Sequence, residues 1–274
     1  MPASLVATDL DGTLLREDRT VSARTAAALR RLDEAGGWHL ALVTGRPVRW
    51  LAAVYAELGA TPMAVCANGA VVYDPRTDRV LRADPLAPEL LLRVSRRLRE
   101  EIPGIRFAVE VADGREMRHE LEYRSWARPE DRPVRVLESP EELCAVPAVK
   151  LLARVDSEID GFPARVAACL GDLAETTHST YSGLVEISAA GITKAAGLAW
   201  LCERLGVPPE SVVAFGDMPN DVPMLAWAGR AVAVANADPA VREIADDVTL
   251  SNEEDGVAVY LERLLDGVGV RAEG

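Results

Sequence analysis

The run Leu5-Val6-Ala7-Thr8-Asp9-Leu10-Asp11-Gly12-Thr13 constrains this chain more than any other stretch. Its first half is short, apolar and partly β-branched, which predicts a buried strand. The strand ends in two carboxylates two positions apart, and an extended backbone carries both on the same side. Gly12 then lets the chain leave the sheet tightly. Two acids on one strand end repel each other unless a cation or a shared proton holds them. Burying them unpaired is costly. A lone Asp-x-Asp-Gly is more often a polar turn than a site, so the rest of the chain decides.

Beyond this stretch the chain alternates strand and helix. Ser22 caps a helix with Ala26, Leu29 and Leu32 in its stripe, closed by Gly36. Leu40–Val43 reads as a second buried strand ending at Thr44-Gly45-Arg46, and Pro47 opens a helix that Gly59 stops. Met63–Ala67 reads as a third strand, followed by Asn68-Gly69 and a hairpin of Ala70–Tyr73 with Arg79–Leu81. This alternation predicts a parallel sheet with helices on its faces.

The texture changes around Pro85. A helix over Pro88–Glu101, strands over Arg106–Val111 and Val149–Val155, a short helix near Pro140–Leu143 and another over Pro163–Leu170 are expected. Two antiparallel strands come next, near Thr176–Thr180 and Leu184–Ile187. From Thr193, which caps a helix carrying Lys194 in its first turn, the first texture returns. Val212–Phe215 and Ala231–Ala235 read as strands, with helices up to Ala228, from Pro239 and over Asp255–Leu265. The expected fold class is α/β, a Rossmann-like parallel sheet in three layers (α/β/α) with an inserted α/β domain. Residues 1–83 and 188–274 form the core domain, and 84–187 the insertion.

The length of 274 residues can bury one large core or two modest ones. A formal net charge of -13 argues against non-specific binding to nucleic acid or anionic membranes. Cys66, Cys144, Cys169 and Cys202 have no paired spacing and read as small core residues in a reducing compartment. The N-terminus runs straight into the first strand, and no apolar run reaches spanning length, so a cytoplasmic protein is expected.

Four strand ends carry unusual residues: Asp9 with Asp11, Thr44-Gly45-Arg46, Asn68-Gly69, and Gly216-Asp217 with Asn220 and Asp221. In an open parallel sheet, ligands bind at the carboxyl ends of the strands, so these residues should meet. Three carboxylates there suit Mg²⁺. Thr44, Gly45 and the next helix N-terminus offer a hydroxyl and free N–H groups for a phosphate. Lys194 adds a compact cation that can hold phosphate oxygens or restrain a carboxylate. Only Lys150 and Lys194 are lysines among the 30 basic residues, and lysine kept beside acids suggests a need for a point charge. A solvated first-turn lysine is an equal reading of Lys194 alone.

Together, Asp9-Leu10-Asp11-Gly12-Thr13, Thr44-Gly45-Arg46, Lys194 and Gly216-Asp217-x-x-Asn220-Asp221 resemble the four motifs of the haloacid dehalogenase superfamily. The similarity is closest to its Cof-type phosphatases (subfamily IIB), which insert an α/β cap between the second and third motifs. Asn68-Gly69-Ala70 is similar to that family's Asn-Gly-Ala turn, and Asn236-Ala237 with the tail through Gly256 to its C-terminal signature. Ala195 departs from the usual glycine after the lysine, which a helix tolerates. The resemblance implies a Mg²⁺-dependent phosphatase acting on a small phosphorylated metabolite, a sugar phosphate being the expected class. It implies Asp9 as nucleophile and Asp11 as acid and base. Asp9, the Asp11 backbone carbonyl, Asp217 and Asp221 would bind the metal. Thr44, Gly45, Arg46, Asn68, Asn220 and Lys194 would surround phosphate and substrate.

Two other functions stand beside this one. A phosphotransferase or mutase would pass the phosphate to a second hydroxyl, and a non-catalytic phospho-ligand regulator would only bind. A pure binder has no use for an acid/base at Asp11, which weighs against the second. His39 reads as structural, and His119 and His178 as surface or cap residues. Lys150 either faces the substrate or reaches solvent from a strand end. Arg96, Arg97 and Arg99 read as a solvated helix face.

Overall fold

Strands buried on both faces lack polar alternation, and the most apolar short runs of this chain occupy the middle of one sheet. The computed structural model describes residues 4–123, 134–137, 139–156, 160–178 and 183–267. The chain begins with β1 (Ser4–Thr8), α1 (Ala23–Glu34), β2 (Trp38–Val43), α2 (Leu51–Leu58), β3 (Met63–Cys66), β4 (Val71–Asp74) and β5 (Arg79–Ala83). Next come α3 (Pro88–Glu101), β6 (Arg106–Val111), β7 (Glu116–Glu120), β8 (Val134–Leu137), α4 (Pro140–Leu143) and β9 (Ala148–Arg154). They are followed by α5 (Phe162–Leu170), β10 (Ala174–Thr177) and β11 (Leu184–Ala189). The last part holds α6 (Lys194–Leu205), β12 (Val212–Gly216), α7 (Val222–Trp227), β13 (Arg230–Ala233), α8 (Pro239–Ile244), β14 (Asp247–Val248) and α9 (Gly256–Leu265).

The first sheet has the order β14-β13-β12-β1-β2-β3-β4-β5. It is parallel from β14 to β3, and β4 and β5 join as an antiparallel hairpin. Leu5, Val6 and Ala7 are wholly buried between β2 and β12. The chain steps one way from β1 to β2 to β3, and the other way from β12 to β13 to β14. Right-handed crossovers therefore put α1 and α2 on one face and α7 and α8 on the other. The contacts agree, since α1 packs on α9, and α6 and α8 pack on α7. The order reverses between β1 and β12, which is where an α/β sheet opens a crevice.

The second sheet runs β10-β11-β9-β6-β7-β8 and is antiparallel except at β7–β8. Its two faces differ by simple alternation. Phe107, Val109, Leu151, Ala153, Val185 and Ile187 share a buried cluster with α3 and α5 residues such as Leu91, Val94, Phe162 and Val166. The intervening positions, Glu110 on β6, Lys150 on β9 and Glu186 on β11, point the other way, yet all three are buried. The fold is thus α/β, a Rossmann-like sheet with helices on both faces and a second α/β layer set between β5 and α6.

Several elements differ from expectation in physically readable ways. The chain enters α2 through a 3₁₀ turn at Val48–Trp50, so Pro47 precedes that turn instead of opening the helix. β3 stops at Cys66 because Ala67 and Asn68 turn left-handed, with φ of +51° and +57°. β7 and β8 lie between β6 and α4, where no strand is expected, and their charged side chains conceal them. The strand expected over Thr176–Thr180 is β10, with residues 179–180 outside the described ones. Arg96 and Arg97 are exposed as expected, but Arg99 pairs with Glu120 and stacks 5.1 Å over Phe107. His119 is buried on β7 with Nδ1 2.8 Å from the Glu120 carbonyl, not on the surface. Cys66, Cys144 and Cys202 are buried and Cys169 half-buried, all four as free thiols. Among the described residues, no helix is long and apolar enough to cross a membrane.

Candidate active site

The carboxyl ends of β1 and β12 face each other across the reversal, so each strand delivers an acid to one point. Asp9 follows β1 with its N–H on the Phe215 carbonyl (3.0 Å), which ties its backbone to β12. Asp217 follows β12, and its Oδ1 accepts from the Thr13 hydroxyl at 2.8 Å. Asp221 is fully buried one turn later, and its Oδ2 accepts from the backbone N–H groups of Asp217 and Met218, each at 3.0 Å. One oxygen from each of Asp9, Asp217 and Asp221 lies within 4.8 Å of the others. Gly12 makes the approach possible. Its φ is +85°, and a Cβ there would stand 2.3 Å from the Asp217 Oδ2.

One cation answers these three acids. Lys194 opens α6, whose first turn Thr193 caps by accepting from the Ala196 N–H at 3.2 Å. Its Nζ donates to the Asp9 Oδ1 at 2.6 Å and to the Asp221 Oδ1 at 2.5 Å. Burial alone would lower the Lys194 pKa, but Asp221 and Asp9 hold it charged, above the usual lysine range. Burial raises the Asp9 carboxyl well above its ordinary value; Lys194 offsets this in part, while Asp221 and Asp217 add to it. Asp217 is pushed up to about 7, by burial first and by Asp221 next, against the Thr13 hydrogen bond. Three buried carboxylates against one ammonium leave a deficit of positive charge. A hard divalent cation, which takes a few carboxylate oxygens and keeps several waters, fits that donor set.

Gly69 seats Lys194. Its φ is +107°, and a Cβ there would lie 2.0 Å from the backbone oxygen of Thr193, so the turn after β3 presses on the start of α6. Gly69→Ala should cost about 2–4 kcal/mol from strain and overpacking together. A urea titration gives the loss, and a change below about 0.5 kcal/mol would show that the contact can relax.

The other strand ends complete the surround. Thr44 is buried after β2, with its hydroxyl accepting from the Arg46 N–H at 3.1 Å. Asn68 donates from Nδ2 to Thr177 (2.9 Å) and to Glu186 (2.8 Å), and its Oδ1 accepts from Asn220 Nδ2 at 3.3 Å. Arg46 holds both oxygens of Asp11, at 2.7 and 2.5 Å. The Asp11 side chain, half exposed, is therefore turned from the buried acids toward Arg46.

The structure brings together the predicted Asp9, Lys194, Asp217 and Asp221, with Thr44, Gly45, Asn68 and Asn220 around them. Arg46, expected to be free for substrate, is engaged by Asp11. Lys150 corrects one of its two readings, since it does not reach solvent. Its Nζ donates to the Gly45 carbonyl at 2.7 Å and to Glu186 at 2.8 Å. Glu186, Glu110 and Arg49 are residues that sequence reasoning missed. Arg49 pairs with Glu110 in a buried contact, and burial raises the Glu110 carboxyl despite that partner. A signal existed: each of these acids sits inside an apolar run, Glu110 between Val109 and Val111 and Glu186 between Val185 and Ile187, where it needs a partner.

Comparison with known proteins covers the same ground. A family model described as haloacid dehalogenase-like hydrolase matches residues 6–261. The chain is 31% identical over 261 residues to a 5-amino-6-(5-phospho-D-ribitylamino)uracil phosphatase of Bacillus subtilis, covering 94% of this chain and 96% of that one. It is 32% identical over 271 residues to a pyridoxal phosphate phosphatase of Escherichia coli, covering 95% and 98%. A solved haloacid dehalogenase-like hydrolase of Bacteroides thetaiotaomicron superposes with a TM-score of 0.76 at 27% identity, covering 96% of this chain and 99% of that one. The family match runs from within β1 to within α9 and takes in every strand end that supplies the acid cluster, so the chain belongs to the haloacid dehalogenase-like hydrolases.

Proposed function

We propose that the chain is a Mg²⁺-dependent phosphatase that releases phosphate from a small phosphorylated metabolite, a sugar phosphate being the expected class. The relatives from Bacillus subtilis and Escherichia coli both carry the names of phosphatases of small phosphorylated molecules. The observation that carries the reading is the Asp9 carboxylate, fixed by Lys194 at 2.6 Å beside two further buried acids.

Asp9 has one oxygen on Lys194, which leaves the other to attack phosphorus. The ester P–O bond breaks as the Asp9–phosphate bond forms, and the departing oxygen takes a proton from Asp11. Asp11, now a carboxylate, takes a proton from water as that water attacks the same phosphorus. The second P–O bond breaks, returning the Asp9 carboxylate and inorganic phosphate. Thr44 and Lys194 hold the transferring oxygens, Gly45 follows Thr44 in the same cradle, and Asn68 and Asn220 border it. Asp9, Asp217, Asp221 and the Asp11 backbone carbonyl would bind Mg²⁺, which when bound offsets the charge of anionic nucleophile and phosphate alike.

The test is phosphate release from a panel of phosphorylated metabolites with and without Mg²⁺. Appearance of phosphate on a second hydroxyl instead of in solution would turn the reading to phosphoryl transfer. Removing divalent ions with EDTA should abolish activity, and Mg²⁺ should restore it. Because the cation answers a charge deficit in the folded state, Mg²⁺ at about 100 times its Kd should also stabilise the fold by about 2.7 kcal/mol. A melting temperature unmoved by Mg²⁺ would sink the metal assignment.

A further inference from the structure

The two sheets meet through buried charges that the proposed reaction leaves unused. Arg49, in the turn before α2, pairs with Glu110 on β6, and Asn68 donates to Glu186 on β11 and to Thr177 on β10. Lys150 stands between the two acids. The register sets it directly opposite Glu110 across β6 and β9, and its Nζ donates to Glu186 at 2.8 Å on the other flank. The side chain is 3% exposed, and the ammonium so held also donates, at 2.7 Å, to the backbone carbonyl of Gly45 beyond the end of β2.

That contact fixes one end of a peptide unit whose other end meets Thr44. The Gly45–Arg46 peptide has its C=O on Lys150 and its N–H on the Thr44 hydroxyl oxygen, at 3.1 Å. A hydroxyl has one proton and two lone pairs, so a hydroxyl that accepts from Arg46 keeps its proton for another acceptor. The Thr44 backbone is tied as well, its N–H to the Val65 carbonyl at 2.8 Å and its carbonyl to the Asn68 N–H at 3.0 Å. Were the peptide to turn over, its carbonyl would face Thr44 and take that proton, while its N–H would face an ammonium. A cation attracts the oxygen end of a peptide dipole and repels the N–H end, so Lys150 opposes the turn.

Resting on the phosphatase reading, we infer that Lys150 is a positioning residue for phosphate. From the second sheet it locks the Gly45–Arg46 peptide, so that the Thr44 hydroxyl donates to a phosphate oxygen and not to its own chain. The phosphate cradle of the first sheet is thus completed by an inserted side chain that acts through one peptide and one hydroxyl. Such a residue acts on phosphate itself, whatever the leaving group.

The test measures binding of inorganic phosphate by titration calorimetry with Mg²⁺ present, and kcat/KM for p-nitrophenyl phosphate. It compares the native chain with Lys150→Met, Thr44→Val and the double variant. Loss of a hydrogen bond to a charged oxygen should weaken phosphate binding in Thr44→Val by about 10- to 100-fold. Lys150→Met should weaken it by about 10-fold, with kcat/KM falling at least as far. In the Thr44→Val background the same change should cost less than about 2-fold, since the hydroxyl it positions is gone. Lys150→Met leaves Glu186 buried without its cation, so a second variant adds Glu186→Gln, whose amide oxygen still accepts from Asn68. It should show the same loss and the same dependence on Thr44. Equal factors in both backgrounds would mean that Lys150 supports only the fold, and would overturn the inference. Native phosphate affinity in Lys150→Met with a lower kcat/KM would place Lys150 on the leaving group and overturn it too, as would native affinity in Thr44→Val. If the native chain binds phosphate but releases none from p-nitrophenyl phosphate, the phosphatase reading falls and the calorimetry alone decides the inference. No binding of phosphate by the native chain would overturn the inference.

Discussion

Asp9→Asn should lose phosphatase activity by about 10⁴-fold or more while remaining folded, as expected when the attacking atom itself is removed. The amide has nearly the shape of the carboxylate but is a poor nucleophile. Its stability should not suffer as a broken buried ion pair normally would. Lys194 keeps Asp221 at 2.5 Å, so its charge is not orphaned. Asp9 is itself held well above its ordinary pKa, by burial and by Asp221 and Asp217, so an ionised carboxylate there is a strained one. Without metal, the variant should therefore melt no lower than the native chain; with Mg²⁺, it should gain less than the native chain does. Calorimetry with and without the ion reads both effects. Steady-state phosphate release near the native rate from the folded variant would remove Asp9 as nucleophile.

The parts of this site that could be read from sequence are those carried by strand ends. Asp9, Thr44, Asn68 and Asp217 each follow a short apolar run, and parallel strands deliver such residues to one edge whatever their separation along the chain. Lys194 was legible as an unusual lysine behind a capping threonine, though its two carboxylate partners fix its role only in three dimensions. The contact of Glu186 with Lys150 and Asn68 was not legible. It joins three segments across two sheets, and only the faces of β9 and β11, set by pairing, turn those charges toward the site. β7 and β8 escaped for a different reason. The buried side of β7 holds Met117 and His119, one of them polar, and Arg118 pairs with Glu116 on the other side, so the strand shows almost no apolar alternation. The left-handed turn at Ala67 also escaped, since alanine does not announce a positive φ as Asn68 and Gly69 after it do.

Asp11 separates chemistry from architecture, because the structure gives it a structural partner as well as a proposed catalytic task. Its two oxygens are held by the Arg46 fork at 2.7 and 2.5 Å, and its side chain is 53% exposed. Exposure keeps it free to swing onto a leaving group, whereas the buried acids cannot move. Asp11→Asn keeps the backbone carbonyl proposed for the metal but can neither give nor take the proton. With an alkyl phosphate the departing oxygen needs that proton, so the first step should slow by about 10²–10⁴-fold. With an aryl phosphate the phenolate leaves unaided, so the first step survives and the hydrolysis of the phosphorylated Asp9 becomes limiting. A burst of about one phenol per active site should result, with phosphate trapped on Asp9 and visible by rapid quenching and mass spectrometry. Arg46→Gln is the control, since it breaks the same ion pair and leaves the carboxyl. If Asp11 served only to anchor Arg46, the two variants would slow alkyl and aryl substrates equally, with no burst and no phosphorylated protein. A burst in Asp11→Asn and none in Arg46→Gln assigns the proton to Asp11.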